Sequence, residues 1–131
     1  MDQADVKNRL ADLTMDRVVP LNHFTKQAPV HIVIVVEKAN LSSRFGAAVK
    51  ARPFAWIDLG ITAEHICLQA SAEGLGTCML GWFNEKGVKS LLSIPRNKRV
   101  GLIITLGYPA EDKIRPKTRK GMDDIARWNR Y

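Results

Sequence analysis

The carboxyl-terminal stretch from Arg96 to Tyr131, which includes Lys117 and Arg119, is rich in positive charge. A site for a phosphate group, held through charge-assisted hydrogen bonds, is one use of such a stretch. On plain surface the same residues make a solvated basic segment, and the residues alone leave both readings open. Other reactive side chains are sparse. Cys67 and Cys78 are the only cysteines; their spacing matches no metal motif, and so low a count fits a reducing compartment. Cys78 lies in a glycine-bounded segment, where it is either core or close to a ligand. His65 falls mid-helix, as a packed or interfacial residue rather than a ligand. Glu64 and Glu73 stand too far apart along that helix to work as an acid/base pair. No Ser/His/Asp order with a nucleophile elbow, no HExxH and no paired CxxC occurs. No catalytic side chain and no metal site is therefore expected. What remains is a binding protein, or an enzyme whose cofactor performs the chemistry.

These residues need elements to position them. The 131-residue chain is long enough for one domain with a buried core, and its 46% hydrophobic and 25% charged content is that of a globular protein. No apolar run reaches the roughly eighteen residues needed to cross a bilayer, and MDQADVKNRL has no apolar signal region. The cytoplasm is the expected location, with no membrane partner. Val6, Leu10 and Leu13 predict a short helix over Ala4 to Leu13. Pro20, Asn22 and Pro29 mark an irregular approach to His31–Glu37, whose β-branched, continuously apolar run reads as a strand covered on both faces. Lys38 to Pro53 reads as a loop. Ile57 to Glu73 is the strongest helix: Ile57, Ile61, His65, Leu68 and Ala72 line one side, Leu59, Ala63, Ile66 and Ala70 a neighbouring one. So broad an apolar circumference predicts a helix buried in an assembly. Gly74 should cap it. A short strand Thr77–Leu80 follows, then a helix from the cap Asn84 to about Leu92, ended by Pro95, and a buried strand Val100–Leu106. Three strands make a small open sheet with exposed edges.

The net charge of +7 raises nucleic acid as a partner. From Arg96 onward the basic residues are opposed only by Glu111, Asp112, Asp123 and Asp124. Yet Lys113 to Lys120 contains a proline and no aromatic, unlike a recognition helix or a stacking platform, so no nucleic-acid partner is expected.

The segment FAWIDLGITAEHICLQASAEGLGTCMLGWF, Phe54 to Phe83, combines a long buried helix, a Gly-Leu-Gly turn, a short strand and another glycine. In that order it resembles the nitroreductase family. The likeness continues through Asn84–Leu92, the Ile94-Pro95 break, Leu106-Gly107-Tyr108-Pro109 and Pro116-Lys117-Thr118-Arg119, with Ala28-Pro29-Val30 upstream. It covers about Gln27 to Ile125. The resemblance implies an α+β fold, a central mixed or antiparallel sheet flanked by helices, in a single domain over residues 1–131. It implies FMN as cofactor. Met79, Leu80 and Gly81 would lie against the flavin, a backbone N–H near its redox nitrogen, with glycine allowing close approach; Met79 and Leu80 suit core packing nearly as well. Many relatives carry a second glycine where this chain has Trp82, whose indole would narrow the pocket. Lys117 and Arg119 would hold the FMN phosphate.

The departure lies at the start. Family members usually open with an Arg-Arg-Ser-x-Arg segment and later carry Pro-Ser-x-x-Asn-x-Gln-Pro-Trp; neither occurs here, so the domain reads as truncated at its amino terminus. The resemblance further implies an oxidoreductase in which NAD(P)H reduces a nitroaromatic, quinone or similar small-molecule acceptor through the flavin. It also implies a homodimer, with Ile57–Glu73 at the interface and Ile125, Trp128 and Tyr131 reaching across the partner. The alternative is a noncatalytic, nitroreductase-like remnant that binds a partner or ligand without turnover.

Overall fold

A computed structural model of the chain describes residues 1–15, 21–37, 54–111 and 116–130. The whole of the expected loop Lys38–Pro53, together with Pro20 and Tyr131, lies outside these. Helix α1 spans Ala4–Thr14 and is followed by a 3-10 turn over His23–Gln27 and strand β1, Val30–Val36. Helix α2 is Phe54–Ala72, strand β2 Gly76–Leu80, helix α3 Glu85–Leu91, strand β3 Arg99–Gly107 and the short helix α4 Met122–Ile125.

The strands form one antiparallel sheet in the order β1-β3-β2. The last strand in sequence is thus the middle one, and β1 is an edge. Although β1 reads as a strand covered on both faces, within this chain only His31 is buried along it and the other residues are half-buried. Burial of β3 is deeper, with Ile103, Ile104 and Thr105 nearly inaccessible.

Alternation along the strands assigns the helices to faces. Val33 and Val36 differ by three residues and so point to opposite sides. Val33 joins the cluster of Leu10, Leu80, Val88, Val100 and Ile103, which buries α1 and α3 against the sheet. Val36 meets Leu59 of α2 around Gly101, on the other side. Val35 pairs with Val100 and Ile34 with Leu102, so Gly101 is an extra residue in β3. A Cβ there would stand 2.6 Å from Leu59 Cδ2 and 2.9 Å from Val36 Cγ2, so only glycine admits α2 this close. Ala63 and Ala70 are the buried residues of α2.

Local signals set the ends of these elements. Gly74 adopts φ 73° and Leu75 N–H donates to Ala70 O at 2.8 Å, the left-handed cap that ends α2. Asn84 Oδ1 accepts from Gly87 N–H at 3.0 Å and so caps α3. The carboxylate of Glu85 then fixes α3 to β3. It accepts from Val100 N–H and Arg99 Nε and pairs with Lys89, each at 3.0 Å, and the Lys89 bond leads the contacts that hold its carboxyl below the usual range.

Candidate functional site

The residues singled out in the sequence fall along β2 and the turn that leaves it. Leu80 pairs with Ile103 across the sheet and is a core side chain, 3% exposed. Of its two expected environments, flavin contact and packing, the structure places this side chain in the packing; only its backbone is left for a ligand. Met79 pairs with Ile104, points to the opposite face and is 42% exposed. Gly81 has no positive φ, and a Cβ built there would meet no atom of the described chain within 4 Å. Neither a positive φ nor packing against more distant described residues therefore requires glycine there. Trp82 follows and is 57% exposed.

The turn is held from below by α1. Asn84 N–H donates to Leu13 O at 2.8 Å. Asn22, a residue the sequence marks only as irregular, donates from Nδ2 to Thr14 O at 3.0 Å and to Trp82 O at 3.1 Å. Between α1, the 3-10 turn and this segment lies a cleft of about 840 Å³, lined by residues that include Asp12, Met15, His23, Trp82 and Phe83.

Lys117 and Arg119 stand on an exposed irregular stretch that leads into α4, and neither forms an ion pair among the described residues. They do not line the cleft beside Trp82. The structure therefore sets Met79 on β2, with Gly81 and Trp82 on the turn that leaves it, and among the described residues it pairs neither cation with a carboxylate.

Other candidate groups are settled by their surroundings. Burial, followed by the proximity of Cys67, pushes the Cys78 thiol up, so it stays protonated and is no nucleophile at neutral pH. His65 is exposed on α2, its Nδ1 2.9 Å from Ile61 O. Among the described residues no group of three or more His, Cys, Asp or Glu side chains could hold a metal ion, and no helix is long and apolar enough to cross a membrane. The apolar stripe of α2 splits as its two lines of residues suggest. Ala63 and Ala70 are buried, whereas Ile57, Ile61 and Leu68 are each about half exposed or more. In the tail, Ile125 and Trp128 are exposed as well.

Comparison with known proteins places this arrangement. The family model described as nitroreductase matches residues 1–108. A protein of Methanothermobacter thermautotrophicus, named for NADH dehydrogenase/NAD(P)H nitroreductase, is 30% identical over 123 residues, which is 90% of this chain and 58% of that protein. The chain thus spans little more than half the length of this curated relative. A nitroreductase family protein from Clostridium novyi NT superposes with a TM-score of 0.67 at 30% identity, covering 86% of this chain and 61% of that one. An FMN-dependent nitroreductase from Clostridium difficile R20291 gives 0.71 at 25% identity, covering 100% and 73%. With the family model matched from α1 to the end of β3, and the helix–turn–strand–glycine series in its place on an α+β scaffold, the chain belongs to the nitroreductase family.

Proposed function

We propose that this chain is the flavin-binding part of an FMN-dependent oxidoreductase, in which NAD(P)H reduces a small acceptor such as a nitroaromatic or a quinone. The observation that carries the reading is the end of β2 and the turn that leaves it, Met79–Trp82, where Met79 and Trp82 are exposed. Its glycine is required neither by a positive φ nor by packing against more distant described residues, while an apolar and an aromatic side chain stand exposed beside it. A flat ring laid against that turn needs such a glycine for backbone approach and such side chains for contact. The residues present fit FMN. Met79 and Trp82 would hold the ring, Gly81 would let the backbone approach it, and Lys117 and Arg119 would take the phosphate, with the backbone of Leu80 continuing the shelf. When bound, FMN supplies the ring chemistry that accepts hydride from a nicotinamide and delivers electrons to an acceptor. The chain's part is binding and orientation, which agrees with its want of an acid/base constellation. The names borne by the relatives support cofactor and reductant alike.

The unit is read as one domain over residues 1–131, acting as a homodimer in the cytoplasm. The half-exposed stripe Ile57, Ile61 and Leu68 is the surface that favours the dimer, and burying the exposed half of each such side chain contributes about 0.8–1.5 kcal/mol. The exposed Ile125 and Trp128 would add to the contact.

The test is a visible absorption spectrum of the purified chain before and after incubation with FMN and removal of the excess. NAD(P)H oxidation is then followed with and without a nitroaromatic. Retained flavin with acceptor-dependent oxidation is the expected result. Retained flavin without oxidation, or no flavin at all, would replace the reading with that of a noncatalytic binding protein.

A further inference from the structure

We infer that Asn22 is a positioning residue for the flavin-facing turn, an inference that rests on the flavin reading above. Asn22 is half-buried and sits in the left-handed region at φ 62°, ψ 23°, a conformation that asparagine tolerates better than most residues but that still costs free energy. What the strained residue does there is visible in its bonds. Thr14 closes α1, so its carbonyl has no partner within the helix. The Asn22 amide satisfies that carbonyl at 3.0 Å, and the same nitrogen donates to Trp82 O at 3.1 Å, sixty residues away in sequence. A side-chain amide has two N–H donors, and both are engaged with backbone carbonyls.

Asn22 is itself held firmly. Its carbonyl accepts from Thr25 N–H at 3.1 Å and from Thr25 Oγ1 at 2.9 Å. Thr25 Oγ1 in turn lies 2.9 Å from Thr14 Oγ1, which is 2.8 Å from Ala11 O; with one hydrogen each, the two hydroxyls share two donations among these contacts. Thr14 and Thr25 are both fully buried. A buried polar chain thus runs from α1 through the 3-10 turn and ends on the Trp82 carbonyl. That carbonyl belongs to the peptide between Trp82 and Phe83, the next peptide after the one joining Gly81 to Trp82. The neighbouring anchor, Asn84 N–H on Leu13 O, fixes the other end of the same turn. Two ties toward α1, on either side of Phe83, leave the backbone of residues 82–84, next to Gly81, little freedom to tilt.

The role separates from mere folding through the choice of substitution. Asn22→Gly keeps the left-handed backbone at no steric cost and removes only the two donors. Asn22→Asp keeps size and turn preference but sets an acceptor-only carboxylate against two carbonyl oxygens. FMN affinity is read by quenching of flavin fluorescence, and the reduction potential of the bound flavin by spectroelectrochemistry, in the wild-type chain and both variants. Expected is roughly three- to tenfold weaker binding in Asn22→Gly and about tenfold or more in Asn22→Asp, with a displaced potential in each. Should both variants fail to fold, isotope-labelled wild-type chain decides the matter: the Asn22 side-chain amide resonance must shift when FMN saturates the protein. Wild-type affinity and potential in the variants, or an unmoved amide resonance, overturns the positioning role while the flavin reading stands. No FMN uptake by the wild-type chain overturns the flavin reading, and this inference with it.

Discussion

Lowering the pH from 8 to 5.5 should destabilise this protein through one side chain, His31. Its imidazole is wholly inaccessible on the inner face of β1, and neither ring nitrogen has a hydrogen-bond partner among the described residues. Burial above all, then the positive charges of Lys7 and the amino terminus, holds its pKa below the ordinary value of 6.5. The amino terminus is tied close by, Met1 N donating to His31 O at 2.9 Å. The native state therefore keeps His31 neutral, whereas the unfolded chain binds a proton as pH falls through about 6.5. Stability from this source is complete above that pH and is lost below it, at up to about 1.4 kcal/mol per pH unit until the native pKa is reached. At pH 5.5 the loss from this side chain is at most about 1.4 kcal/mol, which for a chain of this size lowers the melting temperature by at most about 5 °C. Urea unfolding followed by tryptophan fluorescence at both pH values measures it directly. His31→Leu is the control. An apolar side chain in the same place has no proton to bind, and it leaves no buried polar atom unsatisfied. The variant should show a markedly smaller acid loss and be at least as stable as the wild type at pH 8. Equal acid losses in the two proteins would refute the reasoning, because the proton uptake would then belong to other groups.

Gly101→Ala should cost about 1–3 kcal/mol in urea unfolding, since its Cβ would drive Leu59 and Val36 apart; an unchanged midpoint would mean that α2 packs more loosely than its distances indicate. Ile61→Glu places a charge in the exposed stripe of α2, where it should leave the fold intact and shift the mass seen by light scattering from dimer to monomer. A wild-type chain that is monomeric at micromolar concentration would remove the dimer altogether. Lys117→Ala and Arg119→Ala should each weaken FMN binding about tenfold to a hundredfold through loss of a charge-assisted bond, with little change in unfolding midpoint. Titration of flavin fluorescence checks this, and wild-type affinity in both would return these residues to ordinary surface charge.

Much of the scaffold was legible because its signals are local. Residues Ile57–Glu73 announce a helix by periodicity, and the observed Phe54–Ala72 differs only at its ends. Gly74 and Asn84 work within three or four residues of themselves, so the caps could be named from neighbours in sequence. The strand around Cys78 and the strand Val100–Leu106 follow from β-branched and apolar runs, and they emerge one residue longer at one or both ends. The ordered series from Phe54 to Pro109 carried the family itself, which the match over residues 1–108 bears out.

What the composition of a segment could not reveal is its neighbour in space. HIVIVV and VGLIITL are alike in character, yet β1 is an edge and β3 the centre. Pairing order decides that, and pairing joins residues far apart in the chain. Met79 and Leu80 are adjacent and both apolar, but one is exposed and the other sealed in the core, because β2 meets β3 in a register that turns Leu80 toward Ile103. Both apolar lines of α2 are plain in the sequence; that one packs on the sheet while the other stays open depends on which side of the sheet the helix crosses. Asn22 is the clearest case. Its sequence surroundings suggest only an irregular approach to a strand, and its partner carbonyl lies sixty residues onward. Local propensity and periodicity determine which elements form, since their energies come from residues within a turn or two. Tertiary packing alone brings Asn22 beneath Trp82, because a hydrogen bond between distant residues exists only after the chain between them has folded.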